Sequence, residues 1–157
     1  MSAVDPILYG VELQVSWGDL DRNGHMANTA YLDHAADVRM MYFKAQGFPM
    51  SEFERLRFGP VIKRDDIEYF RELKLLDPFR GTLCMAGLSA DGSRFRFRNE
   101  FFRPDGTLVA RVTSTGGWLD LEARRLAPPP AALAGVLAAL ARSDDYAEIP
   151  SKPGAPS

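Results

Sequence analysis

Asp19, Asp21, Asn23, His25 and Asn28 fall within ten positions of the stretch GDLDRNGHMAN, residues 18–28, with Gly24 among them. Two carboxylates, an imidazole and two amides at this spacing fit three chemistries: cation binding, carboxylate-driven attack on a carbonyl, or a polar turn that only connects. For calcium, Asp19, Asp21, Asn23 and Gly24 match positions 1, 3, 5 and 6 of the helix–loop–helix calcium loop. Position 12 is Ala30, where a bidentate glutamate must complete the oxygen shell, so no metal is expected. As a plain turn, Asp, Asn and Gly need no further role, because they tolerate left-handed backbone and bond to their own main chain. Attack on a carbonyl asks for more. It needs an ionised acid as nucleophile or general base, beside N–H donors that hold a developing oxyanion.

The flanking elements supply such donors. Val11, Leu13, Val15 and Trp17 alternate with Glu12, Gln14 and Ser16, which predicts a half-buried strand. After the loop the period changes. Tyr31, Ala35, Val38, Tyr42 and Ala45 recur at steps of three and four, the stripe of an amphipathic helix from about Thr29 to Gln46. Asn28 stands as its N-cap, and Gly47 with Pro49 as its stop. The free N–H groups and positive dipole end of that helix therefore adjoin the acidic loop.

Segments 60–73, 82–89, 94–103 and 107–120 read as strands, the first bent or bulged, and the Asp-Gly pairs at 91–92 and 105–106 mark hairpin turns. Strand, loop, one long helix, then four largely antiparallel strands is an α+β order: a curved antiparallel five-stranded sheet around one long helix. One helix cannot cover five strands, so open edge and face predict self-association as a homodimer or dimer of dimers. APPP at 127–130 reads as the end of the sheet and AALAGVLAALAR as a short helix. The chain divides into a single domain over 1–142 and a loose tail over 143–157.

A net charge of −2 argues against nucleic-acid affinity. SRFRFRNEFFR holds aromatics and arginines that can serve single-stranded nucleic acid, yet Phe95, Phe97 and Phe101 share one strand face and read more simply as its buried side. Cys84 is the only cysteine, expected as a small buried strand residue, so no intrachain disulfide forms. With no signal peptide and no apolar run of about 18 residues, a cytoplasmic protein without membrane contact is expected.

VSWGDLDRNGHMANTAYLDHAADVR resembles the signature of the hotdog-fold thioesterases of the 4-hydroxybenzoyl-CoA thioesterase type: aromatic-x-Asp-x-Asp-x-x-Gly-His-x-x-Asn-x-x-Tyr, then an acid and an arginine in the helix. Trp17, Asp19, Asp21, Gly24, His25, Asn28, Tyr31, Asp37 and Arg39 fall on it, nine positions over 23 residues. IEYFRELKLLDPFRGT resembles the family's Tyr-x-x-Pro-x-x-x-Gly-Asp strand, with the middle proline replaced and the closing Asp read as Thr82. Asp37 stands where glutamate is common.

The resemblance implies an acyl-CoA thioester hydrolase without a cofactor. Asp21 is then the essential carboxylate, attacking the thioester or activating water, with His25 polarising the carbonyl or fixing the loop by bonding Asp21, and Asn28 orienting water or substrate. Main-chain donors from Asn28 to Tyr31 hold the oxyanion. Trp17, Gly24, Thr29 and Tyr31 contact substrate, with Tyr42 a further aromatic for the acyl pocket. Asp19 ties the loop, His34 is structural, Arg39 bonds to another element, and Asp33 or Asp37 is the fallback nucleophile. Lys63, Arg64, Arg94, Arg96 and Arg98 are available for CoA phosphates, although a solvated strand face explains each of them. Two alternatives stand beside hydrolysis: a hotdog domain that binds an acyl thioester without turnover, and an enoyl-thioester hydratase or dehydratase. The latter's Asp-x-Asn-Pro-x-His places five steps between acid and imidazole, where Asp21 and His25 are four apart.

Overall fold

The computed structural model describes residues 6–151. In chain order it contains β1 (Tyr9–Gln14), a 3-10 turn (Trp17–Asp19), α1 (Ala30–Ala45), α2 (Met50–Leu56), β2 (Phe58–Tyr69), β3 (Pro78–Ser89), β4 (Arg94–Phe102), β5 (Leu108–Asp120), β6 (Arg125–Leu126), α3 (Ala131–Ala139) and β7 (Arg142–Ile149). Five strands form one antiparallel sheet in the order β1-β3-β4-β5-β2, with β6 added to β5.

Period-two alternation decides which side of the sheet meets the helix. Along β4, Phe95, Phe97, Asn99 and Phe101 are buried while Arg94, Arg96, Arg98 and Glu100 stay half-exposed on the outer face. The phenylalanines are thus core, not a stacking platform. Val38, Tyr42 and Phe43 of α1 pack with Leu83 and Met85 of β3, Phe95 and Phe97 of β4, and Trp118 of β5. One to two turns earlier, Ala30, Tyr31 and Ala35 pack with Val15, Phe79, Phe101 and Val112. Contact with three or more strands at each level means that the sheet wraps α1, the arrangement expected from the element order.

β2 carries the expected irregularity. Its register to β5 slips between Ile62 and Arg64, leaving Lys63 as the extra residue of a bulge. The bulge presses backbone against backbone: a Cβ on Gly116 would sit 1.9 Å from the Val61 carbonyl oxygen. Among the described residues β2 pairs on one side only, and residues 60–66 are exposed.

Several expectations need correction. The sheet does not end at 127–130, and the segment from Ser143 is not loose: β7 runs parallel to β3 over Met85–Ser89 and joins it through Ile149. β3 offers that edge because β1 covers only its first half, Pro78–Leu83. Residues 152–157 lie outside the described residues. α2 was not anticipated, since Pro49 reads as a stop although it also starts a helix well. Cys84 faces the outer side of β3, between Thr82 and the Arg98–Asp145 ion pair, instead of the apolar core. Burial is the main cause that pushes its thiol up to about 11. The turn after β2 closes at Asp77, whose Oδ2 accepts the Lys74 N–H at 2.8 Å, with Leu76 before it at φ 66°. Leu76 and Asp77 therefore occupy the Gly-Asp positions of the strand pattern without a gap, and Thr82 does not. Among the described residues, no helix is long and apolar enough to cross a membrane.

Candidate active site

Residues 18–28 form a closed loop because its main chain is bonded at both ends. Asp21 N–H donates to the His25 carbonyl at 2.8 Å, Gly24 N–H to Asp21 at 3.2 Å, and Ala27 N–H to Asp19 at 2.7 Å. Gly24 turns the chain at φ 75°, a conformation a side chain would strain. The loop is sewn to the 70–77 segment by Met26 N–H donating to Leu73 (2.8 Å) and by a bridge between His25 and Lys74.

Within this frame the Asp21 carboxylate is held by one edge. Its Oδ1 accepts N–H bonds from Asn23 (2.8 Å) and His25 (3.2 Å), while Oδ2 has no partner among the described residues. A fixed carboxylate with one open oxygen can act on a neighbouring electrophile or water. Donors stand close in sequence. At the start of α1, Ala30 N–H bonds Ala27 and Leu32 N–H bonds Thr29, and no acceptor is recorded among the described residues for the N–H groups of Asn28, Thr29 and Tyr31. Three such groups at the positive end of a helix suit an oxyanion.

Asp19 and His34 have a different task. Asp19 Oδ2 accepts the Ser16 N–H (2.9 Å) and lies 2.9 Å from His34 Nε2, with both side chains largely buried and the His34 ring edge-on to Phe79. Burial alone would raise the Asp19 carboxyl, but the Ser16 N–H and the His34 imidazole together hold it below the usual carboxylate range. This pair ties the strand exit to α1.

Other expected residues disperse. His25 reaches Asp21 through its backbone, not its ring; the ring pairs with Glu72 Oε2 at 3.1 Å. Thr29, not Asn28, is the N-cap residue, and it makes no side-chain cap bond. Asn28 instead offers its carbonyl to the Tyr69 hydroxyl at 3.0 Å. Tyr31 is 2 % exposed, edge-on to Tyr69 and Phe101. Burial first, with Tyr69 and Glu72 adding, pushes its hydroxyl up to about 12, so it stays protonated. Trp17 is 79 % exposed, outside the core beneath the loop. Tyr42 lies deep in the core and donates to Val136 O, so it lines no acyl pocket at the loop. Asp33 and Asp37 are exposed on α1. Of the outer-face cations, Arg98 pairs with Asp145 (2.6 Å) and Arg94 donates to Ser151 O (2.8 Å). Glu72, Tyr69 and Arg103, whose Nη2 donates to the Glu72 carbonyl, were not foreseen. The strand pattern carries a signal for two of them, Tyr69 as its tyrosine and Glu72 as the acid at its proline position, and none for Arg103.

Residues 15–138, most of the chain, match the family model described as the thioesterase-like superfamily. The chain belongs to that superfamily. No curated protein matches this thioesterase-like protein significantly. Its fold is the hotdog fold, shared with solved structures of low sequence identity. A Staphylococcus aureus protein, SAV2348, solved in complex with CoA, is 22 % identical with a TM-score of 0.77, the match covering 89 % of this chain and 90 % of that one. The 1,4-dihydroxy-2-naphthoyl-CoA thioesterase Slr0204 of Synechocystis is 18 % identical, with a TM-score of 0.75 over 83 % and 96 % of the two chains. The gentisyl-coenzyme A thioesterase BH1999 is 18 % identical, with a TM-score of 0.73 over 82 % and 99 %.

Proposed function

We propose that this protein is a cytoplasmic acyl-CoA thioester hydrolase in which Asp21 is the catalytic carboxylate. The observation that carries the reading is the Asp21 geometry: Oδ1 fixed by two main-chain N–H groups and, among the described residues, Oδ2 without a partner, in a loop that leads directly into a helix start whose first N–H groups have no acceptor among them. As general base, Oδ2 takes a proton from water while the hydroxyl attacks the thioester carbon. The carbonyl oxygen becomes the oxyanion, held by N–H groups among Asn28, Thr29 and Tyr31. Collapse breaks the C–S bond, giving the carboxylic acid and the CoA thiol once the proton passes to sulfur. As nucleophile, Oδ2 attacks the carbon itself, expels the thiolate and leaves an anhydride for water to open. Neither route calls for a cofactor.

The acyl-CoA class is supported by the names of the two structural neighbours that are CoA thioesterases and by the CoA-bound third. His25 and its Glu72 partner border the loop, where the imidazole can hydrogen-bond the carbonyl or water. Trp17, Gly24 and Thr29 remain proposed substrate contacts, Trp17 because an exposed indole beside the loop covers apolar groups well. A homodimer is supported by the unpaired edge of β2 and its exposed residues 60–66. A single cysteine without a disulfide suits a reducing compartment. The test is free-thiol release from aryl-, short- and medium-chain acyl-CoAs. Turnover of one class supports hydrolysis, whereas silence across the panel with retained acyl-CoA affinity would assign the fold a binding role.

A further inference from the structure

Arg39 is a half-buried cation without a use in that chemistry. Its Nη1 donates to Asn99 Oδ1 and to Ser114 Oγ, both at 3.2 Å, and the Ser114 hydroxyl donates to Asp65 Oδ1. Asn99 is fixed in turn by donating to the carbonyls of Ala35 and Thr82. Among the described residues no acceptor is bonded to Nε or Nη2 and no carboxylate forms an ion pair with Arg39, so Asp65 reaches it only through Ser114. Burial lowers the guanidinium from its ordinary value, with the Asp65 charge opposing. It remains a cation, as arginine does in proteins.

Arg39 lines a slot of about 200 Å³ between Ala36, Met40 and Phe43 of α1, Ile62 of β2, and Phe95 and Phe97 of β4. The larger pocket on the outer sheet face, about 690 Å³, is a weaker candidate because its Arg80, Arg98 and Arg111 are each already paired with a carboxylate and its Arg142 lies over the Tyr146 ring. The inner slot differs: apolar walls, aromatic on one side, and one guanidinium whose Nε–Nη2 edge is unspent. That edge presents two parallel donors that match two carboxylate oxygens. A half-buried guanidinium with no direct counter-charge gains a charge-assisted pair from such a partner. At 1.5 Å per residue the slot begins about 9 Å along α1 from Ala30 and reaches Arg39 at about 13 Å.

We propose that the slot receives the far end of the acyl group and that Arg39 selects acyl groups ending in a carboxylate. This rests on the thioesterase reading for the word acyl, not for the slot. The methylenes or ring of such a group lie against Met40, Phe95 and Phe97, and its terminal carboxylate takes the Nε–Nη2 edge. A neutral tip of the same size leaves the guanidinium unpaired.

Two readouts separate the inference from the reading beneath it. In the first, benzoate and its neutral isostere benzyl alcohol are titrated into the protein while the Met40 and Ile62 methyl resonances are followed by NMR. Benzoate is expected to shift both methyls and to bind at least about tenfold tighter than the alcohol. Arg39→Met removes that preference. Because Arg39→Met disturbs the Asn99–Ser114 network, Ile62→Trp, which fills the slot without touching that network, is run beside it and abolishes the Met40 shift. In the second, sebacoyl-CoA and decanoyl-CoA, matched but for the terminal carboxylate and long enough to reach Arg39 from the helix start, are compared in kcat/KM. Sebacoyl is expected to lead by about tenfold or more, and Arg39→Met to reverse the order. Unmoved methyls, equal affinity for the two probes, or decanoyl-CoA as the better ester would overturn the proposal. Arg39-dependent benzoate binding without thiol release from either ester would retain the carboxylate slot and remove the thioesterase reading instead.

Discussion

At the scale of single residues, the acidic loop contains two aspartates, two positions apart, that do different things. Asp21 Oδ2 is left open, whereas Asp19 is used up by the Ser16 N–H and by His34. The second arrangement is a stability device with a defined pH signature. Because the native Asp19 pKa is lowered, its contribution is complete above the ordinary carboxylate pKa of about 3.9 and is lost as the pH falls through the lowered native value. Wild type should therefore lose more stability between pH 6 and pH 3 than Asp19→Asn, by about 1 kcal/mol, in urea unfolding at each pH. Parallel pH slopes for the two proteins would show that the pair is idle. The spacing of Asp19, Asp21, Gly24 and His25 was visible in the sequence because local turn chemistry sets it. The partners were not. Glu72 lies 47 residues from His25 and His34 is 15 from Asp19, and only the packing of β3 and the 70–77 turn against the loop brings each pair together.

At the scale of elements, strands were legible wherever one face is buried. β4 shows this best, with phenylalanine and arginine alternating through its length. β7 was illegible for the converse reason. Its run RSDDYAEI is mostly exposed and carries no apolar alternation, so composition reads as a tail, while the unpaired half of the β3 edge makes it a strand. Segment 60–73 reads as bent or bulged, but the cause of the β2 bulge lies on the neighbouring strand. Gly116 admits the Val61 carbonyl only because it has no side chain. Gly116→Ala should cost about 3 kcal/mol or more, since backbone must move to clear the methyl group. Thermal unfolding checks this, and a loss below about 0.5 kcal/mol, the scale of an inert surface change, would mean that the bulge is not held by that contact.

At the scale of the whole molecule, a five-stranded sheet around one helix leaves β2 with an open edge, and residues 60–66 exposed there are what a second copy would cover. Sedimentation should give twice the chain mass of 17.4 kDa, and Val61→Lys, which sets like charges against each other across a two-fold edge, should shift the protein toward monomer. A monomer at all accessible concentrations would refute pairing through this edge. Such a pairing would matter for turnover, since it would cover the β2 wall of the slot beside Arg39.

We propose that the open oxygen of Asp21 does the chemistry. The most direct test of that role is free-thiol release from the best acyl-CoA by wild type and by Asp21→Asn, which keeps the Oδ1 acceptor for the Asn23 and His25 N–H groups and replaces Oδ2 with an amide nitrogen that can neither attack nor take a proton. A fall in kcat of about 10²-fold or more, with folding and acyl-CoA affinity kept, is expected. An Asp21→Asn protein that releases thiol at the wild-type rate would contradict it.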